Sequence, residues 1–316
     1  RKDNKYPFNQ LAGCGVAFKL MQALATDWKL PEKEYLKFLD IAAIGTISDI
    51  VPLVDENRVI AKLGLMLVER TNNIGLKTLI DLCGFKKMDS TTVSFGLSPR
   101  INACGRLGHA DEALELFLAN NRETTKKLAE KMNEYNSARQ QVERKIYDEA
   151  VQEIIMEKDK PAIVIGKEGW HHGVAGIVSS KITDEYFKPS ILICFDGDEG
   201  KGSGRSIPGF DLHEALMECS EYLEKFGGHS MAVGITIKKD KFENFKKAFI
   251  EYTERKDISE IVPVINIERK VELKDISIEN VKELHQLEPF GEQNKMPLFL
   301  IENLKIVSIR SLSEGK

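Results

Sequence analysis

The stretch 162–195, AIVIGKEGWHHGVAGIVSSKITDEYFKPSILICF, decides the fold of this chain. Its two ends, 162–166 and 190–195, are short runs rich in β-branched residues, and 174–187 between them has helical spacing. Strand, helix and strand in succession mark a parallel or mixed sheet, because parallel neighbours need a crossover of a dozen or more residues. A further strand is expected over 232–238, followed by an amphipathic helix from Asp240 to about Tyr252.

Upstream lies the most legible helix. Residues 122–158 contain no Gly or Pro, and Leu128, Met132, Tyr135, Val142, Ile146, Ala150 and Ile154 recur at helix-like intervals. At 1.5 Å per residue it would span about 55 Å. Its eight basic and eight acidic residues balance, which suits a solvated connector between two lobes. The first 120 residues read as helical. A segment rich in small residues over 11–24 should be a tightly packed helix, and another should start at Pro31, carry Tyr35, Phe38, Leu39 and Ala42, and end near Gly45. Further helices are expected over 57–69, 91–103 and 111–119. After 261 the runs 262–267 and 298–309 look like strands around one helix, 277–287, as if a third, β-rich module began there.

Composition excludes several classes. Charged residues make up 30% and hydrophobic ones 42%, the balance of a globular chain. Lys and Arg total 45 against 49 Asp and Glu, so any nucleic-acid site must be a local concentration of positive charge. Five scattered cysteines form no CxxC pair, which suggests neither a zinc knuckle nor a disulfide framework and fits a reducing cytoplasm. No apolar run approaches the roughly 20 residues of a membrane span. No initiator methionine opens the chain, which is read as starting within a longer protein.

Five motifs carry chemistry. In Gly45-Thr46-Ile47-Ser48-Asp49-Ile50-Val51-Pro52-Leu53, an aspartate among apolar residues is either a metal ligand or a capping group. In Ser98-Pro99-Arg100-Ile101-Asn102-Ala103-Cys104-Gly105-Arg106-Leu107-Gly108-His109, two guanidinium forks and an amide could meet phosphate oxygens, or the arginines could satisfy helix C-terminal carbonyls. Gly169-Trp170-His171-His172-Gly173-Val174-Ala175-Gly176 opens a helix whose first turn lacks bulky side chains, so its N–H groups could face an anion; packing of Trp170 is the plain alternative. Gly200-Lys201-Gly202-Ser203-Gly204-Arg205-Ser206 combines glycines for close backbone approach with hydroxyl and cationic phosphate donors. A hairpin explains Gly197 and Gly200 but not Ser203 and Arg205. Phe226-Gly227-Gly228-His229-Ser230 sets a histidine on a glycine pair ahead of a strand, a geometry for ligand contact.

In this order the motifs resemble the DHH/DHHA1 phosphoesterase superfamily, most closely its RecJ branch of single-strand-specific DNA exonucleases. The matching stretches are 8–24, 45–53, 99–109, 170–180, 201–215, 227–234 and 287–291, over nearly the whole chain. The resemblance implies an α/β architecture: the helical remainder of a DHH lobe over 1–121, a connecting helix over 122–158, a DHHA1 lobe with a mixed sheet over 159–256, and the start of an oligonucleotide-binding (OB) module over 257–316.

It further implies that Asp49 is the last metal-binding aspartate of the first lobe, serving a two-metal site with Mn2+ or Mg2+. Arg100, Asn102 and Arg106 match the arginine motif flanking the active site. Ser203 and Arg205 match the phosphate-gripping segment, and Gly227, Gly228 and His229 the glycine-glycine-histidine motif. His171 falls on the Trp-His motif, whereas His172 stands where glutamine is common and receives no role. Gly204 and Ser98 replace the usual alanine and glycine. The larger departure is that no Asp-His-His triplet occurs, so this chain alone is expected not to hydrolyse DNA.

For the whole protein the resemblance implies 5′-to-3′ hydrolysis of single-stranded DNA in repair and recombination. Single-strand-binding protein and a RecQ-type helicase are the implied protein partners, in a cytoplasmic monomer without membrane contact. Alternatives are a phosphodiesterase of the same superfamily acting on nanoRNA or cyclic dinucleotides, and a catalytically dead DNA-binding scaffold.

Overall fold

A computed structural model describes residues 5–310. The described residues form two compact units, one within Arg1–Ser98 and Ile265–Lys316, the other Pro99–Val264. The first unit is helical: α1 (Gly13–Asp27), α2 (Lys33–Leu36), α3 (Leu39–Ser48), α4 (Asp55–Val68), α5 (Ile74–Cys83) and α6 (Ser90–Thr92), which runs into a π-helical turn, Val93–Leu97. Phe18, Tyr35, Leu39, Ala43 and Ile60 centre its core.

Small residues let these helices approach closely. A Cβ at Gly64 would lie 2.3 Å from the Ala43 Cβ, and one at Gly45 would lie 2.6 Å from the Cys14 Sγ. Gly45 therefore packs inside α3 and does not end it. The helix expected from Pro31 onward breaks in two where Phe38 leaves the helical region (φ −100°, ψ 3°). Sequence periodicity also passes over α5, although Asn73 caps it by accepting from the Leu76 N–H and Gly84 closes it at φ +66°.

The second unit begins in α7 (Ser98–Arg106) and continues through α8 (Ala110–Leu118), the long α9 (Arg122–Met156), β1 (Ile163–Glu168), α10 (His172–Tyr186), β2 (Ser190–Asp196), β3 (Glu199–Arg205), α11 (Leu212–Glu218), β4 (Leu223–His229), β5 (Ala232–Lys238) and α12 (Phe242–Lys256). The sheet order is β1-β2-β3-β5-β4, with β1 and β2 parallel and the other neighbours antiparallel. The strand–helix–strand unit and the mixed sheet are as expected. α9 and α10 cover one face through Ile146, Ala150, Val174 and Val178 against Ile163, Ile165 and Leu192. α11 and α12 cover the other through Leu212, Leu216, Phe245 and Phe249 against Ile191, Ile193, Val233 and Ile235.

β3 is the informative strand. Its glycines, Gly200, Gly202 and Gly204, alternate with Lys201, Ser203 and Arg205, and a strand sends alternate residues to opposite faces. The glycines lie on the core side, where a Cβ at Gly202 would be 2.7 Å from Ile235 and 2.9 Å from Ile193, and one at Gly204 would be 2.8 Å from Val233. They thus make room for apolar neighbours and do not bring backbone to a ligand. The β2–β3 turn is Gly197-Asp198, with Asp196 paired to Glu199 and Gly197 at φ +58°, so Gly200 belongs to the strand and not to the turn. Gly227, Gly228 and His229, expected ahead of a strand, lie inside β4.

Past the second unit the first unit resumes with β6 (Arg269–Lys270), α13 (Ile278–Leu284) and β7 (Phe299–Leu300). Gly291 packs on Leu53, whose N–H donates to the Glu292 carbonyl at 2.8 Å. The long strands expected over 262–267 and 298–309 are absent among the described residues. β6 and β7 pair over two residues only, and Val262, Val264, Ile265, Val307 and Ile309 are exposed. A strand needs a partner for its backbone groups, and periodicity alone does not supply one.

Gly228 has φ +137°, and a Cβ there would lie 2.2 Å from the Ala232 carbonyl oxygen, whereas a Cβ at Gly227 would meet nothing within 4 Å. Gly228→Ala should therefore destabilise the chain by about 1–3 kcal/mol in denaturant titration. Gly227→Ala should stay within about 0.5 kcal/mol of the parent.

Candidate nucleic-acid interface

The site is built from β3 outward. Lys201, Ser203 and Arg205 share the sheet face that α10 covers farther along. The register carries this face across the neighbouring strands: Arg205 lies beside Ala232 and then His229, Ser203 beside Gly234 and Gly227, and Lys201 beside Thr236 and Lys225. With strands about 4.8 Å apart, Arg205 and His229 stand about 10 Å from each other. Gly234, Gly227 and His229 are exposed, so the sheet here is an open shelf with a floor of bare backbone, edged by cations. Gly228 is exposed as well, but a Cβ there would run into the backbone of Ala232 and Val233, so it serves the close approach of β4 to β5.

α10 borders the shelf. A Cβ at Gly176 would sit 3.3 Å from the Arg205 Nη2 and 3.4 Å from the Ser203 Oγ, so these two groups meet beneath a helix turn that lacks a side chain. Arg205 Nη1 donates to the carbonyl of its neighbour Gly204 at 2.8 Å. Arg106 Nη1 donates to the Gly173 carbonyl at 3.0 Å, which brings the end of α7 to the same region. Burial first, then the positive charge of Arg106, pulls the Arg205 pKa below its ordinary value. Burial and then Arg139 do the same to Arg106, with Glu143 acting in the opposite sense. Among the described residues no carboxylate forms an ion pair with Arg106 or Arg205. A half-buried guanidinium (Arg205), an exposed one (Arg106) and a hydroxyl, none of them neutralised by a carboxylate, make a site for an anion.

Other candidates are placed differently. The first-turn N–H groups of α10 are already satisfied: Gly173 N–H donates to the His171 Nδ1 at 3.2 Å, and those of Val174 and Ala175 donate to the His171 carbonyl. His171 is therefore the cap of α10, and of the two readings, an anion cradle and packing of Trp170, the first loses the N–H groups of Gly173, Val174 and Ala175. Its ring stacks on that of His172 (centroids 5.3 Å apart, 8° between planes) and does not point away from it. Trp170 is buried and donates from Nε1 to Glu149 at 2.8 Å. Arg100 and Arg106 do not converge. Arg100 Nε donates to Asn133 of α9 at 3.0 Å, and Asn102 is exposed. Between them burial pushes the Cys104 thiol up to about 11, far from a nucleophile at neutral pH.

Asp49, in the first unit, is exposed at the C-terminal cap of α3, where its N–H donates to the Gly45 carbonyl. The expectation of an aspartate held among apolar neighbours fails, because the chain turns outward at Ile50. That residue is itself unusual, being β-branched at φ +56° and 71% exposed. Ser98, buried, donates to the Val93 carbonyl at 2.8 Å and shares a hydrogen bond with Ser48. Among the described residues no three His, Cys, Asp or Glu side chains group to hold a metal ion, so these residues do not by themselves fit a two-metal site. Among them, too, no helix is long and apolar enough to cross a membrane.

Residues 159–255 match the DHHA1 domain model, and 267–316 match the RecJ OB domain model. The second unit thus carries a DHHA1 domain. The single-stranded-DNA-specific exonuclease RecJ of Bacillus subtilis is 41% identical over 98% of this chain and 40% of its own length. That of Thermus thermophilus is 34% identical over 96% of the chain and 44% of its own length. The crystal structure of the Thermus thermophilus RecJ with Mn2+ aligns at a TM-score of 0.84 and 32% identity, over 93% of this chain and 44% of that one. The Mg2+ complex aligns at 0.83 and 31%, over 94% and 46%. The chain belongs to the RecJ family, and it spans about two fifths of the length of its Bacillus subtilis relative.

Gly173 has no room for a side chain, since a Cβ there would lie 2.5 Å from the Arg106 carbonyl oxygen. Gly173→Ala should separate α10 from Arg106 and cost about 1–3 kcal/mol of stability, read by thermal or chemical unfolding.

Proposed function

We propose that this chain is the strand-gripping part of a metal-dependent exonuclease that degrades single-stranded DNA from its 5′ end. One observation carries the reading: Arg205 and Ser203 meet under the turn of α10 whose Gly173 carbonyl receives Arg106, beside an open sheet face floored by Gly227 and Gly234. A bare floor edged by cations suits a sugar–phosphate backbone. It offers no array of donors and acceptors for base edges, so recognition of the strand is independent of sequence.

In this reading Ser203 and Arg205 hold one phosphate, Arg106 adds charge from α7, and His229 and Lys201 guide the strand across the shelf. The domain assignment follows, with the DHH remainder over 1–121, the connecting helix over 122–158, the DHHA1 lobe over 159–256 and the OB module from 257. Asp49 offers one carboxylate to Mn2+ or Mg2+, and the other ligands lie outside the described residues. The strained, exposed Ile50 beside it supports a functional role, since such geometry costs about 1–3 kcal/mol without improving packing. Arg100 serves by tying α7 to α9, and His171 by capping α10. Repair and recombination in the cytoplasm, with a single-strand-binding protein and a helicase as partners, complete the proposal.

Anisotropy titration with a 5′-phosphorylated oligothymidine tests it. The chain should bind the strand more tightly than a dinucleotide, and preference for the dinucleotide would overturn the reading. Arg205→Ala should weaken binding and reduce the salt slope by about 0.7, the value for one phosphate contact on a single strand. An unchanged slope removes Arg205 from the site. Incubated with Mn2+ or Mg2+, the 316-residue chain should bind the strand without shortening it.

A further inference from the structure

α10 turns two sides to the sheet. Val174, Ala175, Val178 and Ile182 join the apolar core with Ile163, Leu192 and Cys194. Beside them Gly176, Ser179 and Thr183 recur three and four residues apart, on the side that meets Ser190 and β3. Ser179 and Ser190 are 0% exposed and Thr183 is 4% exposed. Their hydroxyls form one cluster. Ser190 Oγ lies 2.7 Å from the Thr183 Oγ1 and 2.8 Å from the Ser179 Oγ, and it donates to the Ser179 carbonyl at 3.0 Å. With its proton so placed, Ser190 Oγ accepts from both neighbours, and each of the three hydroxyls has a partner.

The cluster stands next to Arg205. Ser190 is the β2 partner of Arg205 in the sheet, and Thr183 Oγ1 lies 3.5 Å from the Arg205 carbonyl oxygen. The following β2 residues on this face, Leu192 and Cys194, are buried and apolar. An apolar trio of the same shape would hold α10 about as firmly, because paired buried hydroxyls can be replaced by apolar groups at little cost. What apolar packing lacks is direction. A satisfied hydrogen-bond cluster fixes where along the sheet the helix sits.

We propose that Ser179, Thr183 and Ser190 set the position of α10 over β3 and thereby hold the Arg205 guanidinium in place for an anionic ligand. They are positioning residues, and the inference rests on the phosphate-binding reading of Ser203 and Arg205. Gly176 lies seven residues before Thr183, about 10 Å along the axis of the same helix. A Cβ there would stand 3.3 Å from the Arg205 Nη2 and 3.4 Å from the Ser203 Oγ, so the bare turn roofs both groups. From the strand, Arg205 is tied through Nη1 to the Gly204 carbonyl at 2.8 Å. A slide of α10 along the sheet would carry the bare turn off Arg205 and free the guanidinium to turn away from Ser203. The hydroxyl cluster resists that slide.

Affinity for 5′-phosphorylated oligothymidine and melting temperature, measured side by side in the full chain, test this. Thr183→Val keeps the shape and removes the hydroxyl. It should melt within about 3 °C of the parent, bind about fivefold more weakly and lose part of the salt slope that Arg205→Ala loses. Thr183→Ser keeps the hydroxyl and loses a methyl group, so it should melt below Thr183→Val yet bind within about twofold of the parent. In an Arg205→Ala background, Thr183→Val should change affinity by less than about twofold. A purely structural role would make Thr183→Ser the weaker binder, or would leave the Thr183→Val loss intact without Arg205; either result overturns the proposal. Parent-like binding by Thr183→Val overturns it too. Should Thr183→Val fail to fold, Ser190→Ala takes its place, with weaker binding expected only while Arg205 is present and the same loss without Arg205 refuting the idea. If the parent ignores the strand but inorganic phosphate raises its melting temperature with the same variant pattern, the positioning role stands and the nucleic-acid reading falls. If the parent responds to neither ligand, both fall.

Discussion

The alternation of β3 is the constraint on which the second unit depends. Gly200, Gly202 and Gly204 leave one side of the strand without side chains, and Ile193, Phe195, Ile235 and Val233 fill that space against α11 and α12. The strand can therefore sit in the middle of a sheet buried on that side and still present Lys201, Ser203 and Arg205 on the other. A side chain at any of these glycines would displace the neighbours that hold the register. Because a one-residue slip would exchange the two faces, the packing of the core side keeps the polar side in place.

From that register the rest of the site follows by pairing. β5 and β4 repeat the division, with Val233, Ile235 and Phe226 inward and Gly234, Gly227 and His229 outward. α10 reaches both Ser203 and Arg205 of β3, and Gly176 leaves room for their side chains beneath it. The nearby charges lie in partly desolvated surroundings and are imperfectly balanced. Such an arrangement is of little use to stability and is typical of a place that receives a counter-charge from outside.

Much of this was legible in the chain. The strand–helix–strand pattern of 162–195 and the length of α9 follow from local rules of periodicity, and Ser203 and Arg205, singled out by residue type, come together beside Gly176. Three inferences failed for one reason, which is that direction is not a local property. Asp49 has apolar neighbours in sequence, but the turn at Ile50 carries it to solvent. Arg100 and Arg106 share a helix, yet one reaches α9 and the other α10. Gly227 and Gly228 are adjacent, yet a Cβ would meet open space at the first and the backbone of β5 at the second. The strands expected in the tail failed for want of partners, and the hydroxyls of Ser179, Thr183 and Ser190 escaped notice because only the fold brings them together.

The sequence by itself determined α9, the strand–helix–strand unit of 162–195, the closing β5 and α12, and the family to which the chain belongs. These depend on spacing and residue type, which are read along one dimension. Only the tertiary structure decided that the glycines of β3 serve the core, that His171 closes the N-terminus of α10, and that Arg106 reaches the region of Arg205. Each of these depends on which segments, separated by tens of residues in the chain, are brought within a few ångströms by the burial of apolar surface.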